Sequence, residues 1–183
     1  MNDAFDDERL VKKLKPLQIV AIGLMLGLLS TTAVMALMVY QFDASPNVDL
    51  GFPMWIIPAI QAVVTTLIVI PSIEKSLGGT MVKSIADGTW SAKNPEMARK
   101  FPDDSSKLFA VLMALTMIRF ALMEGAGVIA AVFFFIEAKP AGLAVVAGIL
   151  FWLYTQFPTR NRVRDELETL ERELQRRRDK LDS

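Results

Sequence analysis

Met117-Ile-Arg-Phe-Ala-Leu-Met-Glu-Gly-Ala-Gly127 lies in the middle of an apolar run from Leu108 to Ile136. Arg119 and Glu124 are the only ionisable residues in that run. A helix of this length crosses a bilayer, because about 20 apolar residues cover the roughly 30 Å hydrocarbon core. An arginine and a glutamate near the middle of a span each cost about 2.5–3.5 kcal/mol on insertion scales. They are tolerated when they face protein, water or each other. The remaining spans are therefore read as walls around this third one.

The composition agrees. Of 183 residues, 52% are hydrophobic, the mean hydropathy is +0.37, and the apolar residues come in blocks, as in a membrane protein. A length of 183 residues suits one domain with an appendage. The formal net charge is zero, but the charges are segregated along the chain. The absence of cysteine removes disulfides and thiolate chemistry, and the absence of histidine removes the commonest general base and metal ligand. There is no His-Glu-x-x-His motif and no serine with a plausible base, and Gly78-Gly79 is too little to cradle phosphate. No catalytic residue, cofactor or metal site is expected.

The N-terminal segment, 1–16, mixes acids with Arg9, Lys12, Lys13 and Lys15. Its Phe5, Leu10, Leu14 and Leu17 form a short stripe suited to a membrane surface, although a solvated tail is the favoured reading. Pro16 suits a helix start, and the first span is placed at about 17–42. Val34-Met35-Ala36 offers small residues for cleavage, but the apolar run is too long and its leader too acidic for a signal peptide. Gly23 and Gly27 have small-xxx-small spacing, and Ser30, Thr31 and Thr32 form a polar cluster.

A turn-rich loop (Asp43, Ser45, Pro46, Asn47, Asp49, Gly51) leads to a second span at about 53–73. Pro53 is expected in its first turn, Pro58 as a kink, Met54 and Trp55 as interface anchors, and Pro71-Ser72 as its exit. Gln61, Thr65 and Thr66 are its interior polar residues. In the basic loop 74–107, Ile73, Leu77, Met81, Ile85 and Trp90 suggest an interfacial helix limited by Gly78-Gly79 and Asp87-Gly88. Asn94-Pro95 and Phe101-Pro102 punctuate the rest, and Asp103, Asp104 and Ser105 suit the cap of the third span, 108–136. A tight turn, 137–142, precedes a short fourth span at 141–157 that Pro158 ends.

From 159 to 183 the chain reads as a charged cytoplasmic helix. Val163, Leu167, Leu170, Leu174 and Leu181 recur at heptad spacing, with Arg177 in the remaining slot. They are the oligomerisation candidates; the alternative is a lone amphipathic helix packing on the long loop or on lipid headgroups. Acids alternating with arginines predict i,i+4 pairs, Arg176-Arg177-Arg178 suits anionic lipid, and the balance of charge argues against nucleic acid. Lysine and arginine number four before the first span, none in the first loop, six in the second, one in the third (Lys139) and eight in the tail. The positive-inside rule then places both termini and the long loop in the cytoplasm. The fold class is an all-α integral membrane protein of four transmembrane helices in two hairpins plus the charged helix. Overlaying the first span on the third sets Asp43 on Glu137 and Pro46 on Pro140, a sign of duplication.

Arg119 and Glu124 are five residues apart and about 140° apart around a helix, so each needs a partner elsewhere. Depth counting sets Glu124 level with Gln61 and Ser30–Thr32, and Arg119 level with Thr65 and Thr66. These six (Arg119, Glu124, Gln61, Ser30, Thr65 and Thr66) are the intramembrane site candidates. They serve either as polar glue or, at Glu124, as a proton or cation site. Ala121-Leu122-Met123-Glu124-Gly125 resembles the ion-binding helix of subunit c of the rotary ATPase membrane ring. The likeness covers one helix of four, and the long loop, the tail and Arg119 depart from that family. As a whole the chain resembles small uncharacterised four-span inner-membrane proteins of bacteria, a likeness that implies no activity. The expected role is a non-enzymatic membrane interaction or assembly component, with lipids and a second copy or another protein as partners. Ion-coupled transport through Glu124 is the alternative.

Overall fold

The computed structural model describes residues 7–44, 51–90, 96, 99 and 101–181, without the side chains of 7–11 and 13. Phe5 and Leu10 of the expected stripe, Ser45, Pro46, Asn47 and Asp49 of the first loop, and Asn94-Pro95 lie outside that description. The described residues hold helices and no strand. They comprise α1 (Asp7–Tyr40), α2 (Ile56–Ala86), α3 (Asp104–Glu137), α4 (Pro140–Thr155) and α5 (Arg160–Asp179). Among them α1 from Leu14, α2 and α3 are long and apolar enough to cross a membrane. The 16 residues of α4 rise only about 24 Å, and α4 counts as a fourth candidate only together with α5, from which it is bent by 69°.

The prolines act differently from the sequence expectation. Pro16 lies inside α1, whose helix begins nine residues earlier at Asp7. The lost N–H costs one bond, while Leu14 and Leu17 on either side are buried in protein. Pro53 precedes α2. Pro58 is buried in the first turn of α2, where no i−4 bond is lost and no kink follows. Pro71 does not end the second span, because α2 continues to Ala86. Pro71 has no N–H for the carbonyls of Thr66 and Leu67, and a π turn at Thr65–Val69 absorbs the defect one turn earlier. A second π turn occupies Glu74–Gly78. Pro158 does separate α4 from α5, as its position predicts.

The described chain forms two compact units. The first takes the chain up to Leu17, Pro71–Met117 and the chain from Pro158 onward. Its core joins Leu14 and Leu17 of α1, Val82 and Ile85 of α2, Leu108, Phe109 and Leu112 of α3, and Val163, Leu167 and Leu174 of α5, with Trp90 beside them. The stripe from Ile73 to Trp90 therefore packs on this protein core. Gly78 and Gly79 do not limit the helix. A Cβ at Gly78 would meet Leu115 Cδ1 at 3.3 Å, so the glycine serves a close helix approach.

Polar ties close this unit. Asp103 caps α3 by accepting the Ser106 N–H at 2.9 Å, as the sequence predicts. Asp104 pairs with Lys107 and with Arg178 of α5, and Ser105 donates to Glu171 at 3.3 Å. On α5, the pairs Arg162–Glu166, Arg164–Glu168 and Arg177–Glu173 form at i,i+4 as expected.

The second unit takes Gln18–Ile70 and Ile118–Phe157. Its core sets Phe120 of α3 among small and aliphatic side chains, among them Ala21 and Leu28 of α1, Met123, Ala126 and Ala130 of α3, and Val146, Ile149 and Leu153 of α4. Glycines set its closest approaches. A Cβ at Gly127 would lie 2.5 Å from Leu28 Cδ2, so Leu28 seats fully buried in a notch of α3. A Cβ at Gly142 would lie 2.7 Å from Phe134 Cβ and 3.0 Å from its Cα, which holds the α3–α4 hairpin together at backbone distance. Ala138, in the tight turn, has φ 53°. Gly142→Ala is expected to cost about 1–3 kcal/mol through overpacking against backbone that cannot move aside. Gly148→Ala, with open space around it, is expected to be neutral. Unfolding of the two variants in detergent checks the difference.

Candidate functional site

The intramembrane candidates of the sequence all lie in the second unit. Glu124 is half-buried on α3 and rests against α1, where a Cβ at Gly27 would come within 3.3 Å of its Oε1. The small residue at 27 is what admits the carboxyl group. Of the expected Gly23–Gly27 packing pair only Gly27 meets a neighbour, and Gly23 has open space around it. Among the described residues the Glu124 carboxyl makes no hydrogen bond or ion pair. In particular it is not joined to Arg119, which is half-buried and has interactions of its own.

Thr66 donates to Met123 Sδ at 3.6 Å, which sets Thr66 beside residue 123, about one turn further along α3 than the Arg119 level expected. Gln61, five residues away on α2, then lies about 7.5 Å from the Thr66 level and not beside Glu124. Leu108, Phe109 and Leu112, which that depth count set within the third span, belong to the core of the other unit. Thr65 is buried and Gln61 half-buried. Ser30 and Thr32 donate to the carbonyls of Gly27 and Leu28 at 3.0 and 2.8 Å, so their hydroxyls are satisfied within α1. None of the other five candidates hydrogen-bonds to Glu124 among the described residues.

A buried acid that the sequence reading passed over lies at the end of α3. Glu137 is only 5% exposed, accepts the Met54 N–H at 2.9 Å and faces Lys139 Nζ at 3.6 Å. It ties the start of α2 to the α3–α4 turn. A warning was present in the sequence: an acid in the last turn of a helix opposes the macrodipole and needs donors nearby. The oligomerisation candidates of α5 belong to the other unit. There Val163, Leu167 and Leu174 are buried, Leu170 is half-buried, and Leu181 is 61% exposed. The face that would form a coiled coil is occupied by residues of the same chain.

Glu137→Ala leaves the half-buried Met54 N–H without its acceptor and is expected to cost about 1–2 kcal/mol, with Glu137→Gln in between. Lys139→Ala, which removes a half-exposed partner at the edge of the pair, is expected to change stability by less than about 0.5 kcal/mol. Unfolding of the three variants in bicelles measures this. No protein family, curated protein or solved structure matches the chain.

Proposed function

We propose that the chain is a multi-pass protein of a bacterial cytoplasmic membrane, with both termini and the charged unit in the cytoplasm. In this reading it works as a non-enzymatic interaction or assembly component. The observation that carries it is where the exposed large apolar side chains fall. Those of α1 begin at Ile19 and include Ile22, Leu26, Leu29, Val34 and Leu37. Those of α2 run from Ile57 to Ile68, and α4 adds Phe151 and Tyr154. All belong to the second unit, whereas the first exposes only Met117 and Leu181 of this kind among its described residues. Such a surface is unfavourable in water and natural in hydrocarbon.

The unit boundaries then serve as membrane edges. Ile118 to Glu137 rises about 30 Å, one hydrocarbon thickness. Arg119 falls at the inner edge, where its long side chain reaches water, and Glu124 about 9 Å beyond Ile118. Three of the four boundaries, at Leu17, Ile70 and Phe157, have Pro16, Pro71 or Pro158 alongside. Carbonyls freed by proline are satisfied more easily near water than in lipid. A duplicated hairpin fits too, since α1 and α3 have 34 residues each and end near left-handed residues, Asp43 and Ala138.

With its apolar face occupied, α5 meets a second copy or another protein through its exposed side, which carries Arg164, Glu168, Arg172 and Arg176. The cysteine-free sequence makes a single Thr169→Cys on that side an unambiguous probe. A membrane-impermeant maleimide is expected to reach it only in inside-out vesicles. There a bifunctional maleimide is expected to trap a neighbour, and Arg172→Glu to reduce the trapping. Labelling from the outer face would contradict the topology, and absence of any trapped neighbour would contradict the interaction role.

A further inference from the structure

We propose that Glu124 is a proton-binding site that faces the lipid phase, and that its ligand is a proton and not a metal cation. This rests on the second unit lying in the membrane, as argued above. The carboxyl group is half-buried, lies against the backbone of Gly27 and has no protein partner among the described residues. No charged group confronts it from the helices of its unit. Between Gln18 and Tyr40, α1 has only Tyr40 to titrate, α2 has nothing ionisable from Ile56 to Ile73, and α4 has only Tyr154. On α3 itself, Arg119 lies about 140° around the helix and Glu137 more than three turns away.

A carboxylate in that setting has one simple way to lose its charge, which is to take up a proton. A hard cation would need about six oxygen ligands. The neighbour at Gly27 offers no side chain, and Met123 offers sulfur. The hydroxyls of Ser30 and Thr32 are directed to carbonyls of α1. Among the described residues no group of three acidic, cysteine or histidine side chains could hold a metal. One oxygen base and a lipid-facing surface suffice for a proton.

Dicyclohexylcarbodiimide, which partitions into bilayers, tests this on the full-length protein in liposomes. A protonated carboxyl gives its proton to a carbodiimide nitrogen, and the carboxylate oxygen then adds to the central carbon. Rearrangement leaves a stable N-acylurea containing the whole reagent, which is located by peptide mass. Glu124 is expected to be labelled, and Glu137, with its side chain 2% exposed, is expected not to be. Labelling should fall about tenfold per pH unit above its midpoint, the slope of a one-proton titration. Glu124→Gln should abolish the adduct. Absence of labelling at every pH, labelling that ignores pH, or protection by sodium or calcium at constant pH would each overturn the assignment. A lipid-soluble diazirine in the same sample separates the two claims. Labelled Leu26 and Leu29 with an unmodified Glu124 would refute the proton site alone, and unlabelled α1 would refute the membrane placement.

Discussion

An α-helix satisfies its own backbone, so it can pass from water into hydrocarbon without exposing an unpaired amide. Only its side chains have to change. In the proposed membrane placement that single constraint organises this protein. The helices α1, α2 and α3 each contribute to both compact units, and the character of their exposed residues changes where the units divide. In α1 the exposed positions turn from Lys12 and Lys15 to Ile19, Ile22 and Leu26 within about four turns.

The two units are held by different physics. In the first, large side chains such as Phe109, Leu112, Val82 and Leu167 fill the core, and removing them from water supplies the driving force. The second exposes large apolar side chains as well as burying them, and in the proposed membrane placement burial from water cannot discriminate between the two. Close packing does that work instead: Leu28 in the notch at Gly127, Gly142 against Phe134, and alanines at 126, 130 and 131. Two long-range polar contacts, Glu137 to Met54 and Thr66 to Met123, fix register between α2 and α3.

Much of this was legible in the sequence, because apolar block length and turn chemistry act locally. The helical class, the Asp103 cap, the turn before α4, the break at Pro158 and the i,i+4 pairs of α5 are all local signals. Three of the misreadings share one cause. Pro16, Pro71 and Gly78-Gly79 are helix punctuation by local rules, yet Leu14, Leu17, Val82 and Ile85 beside them bury in a tertiary core that holds the helix through. The stripe from Ile73 to Trp90 was visible as a stripe, but whether lipid or protein covers it depends on α5, more than 70 residues on. The approach of Glu124 to Gly27 is equally non-local. For Glu137 the need for donors was legible from its place in the last turn of a helix, but the donor itself, the Met54 amide, was not.

In the proposed placement α1 changes solvent close to Leu17. Nitroxide side chains at Lys12, Lys15, Ile19, Ile22, Leu26 and Leu29, all exposed, measure this directly by collision with oxygen and with a water-soluble nickel chelate. Chelate-dominated relaxation is expected at 12 and 15, oxygen-dominated relaxation at 22, 26 and 29, and the crossover between 15 and 22. A flat profile, or oxygen dominance that already extends to Lys12, would contradict that placement.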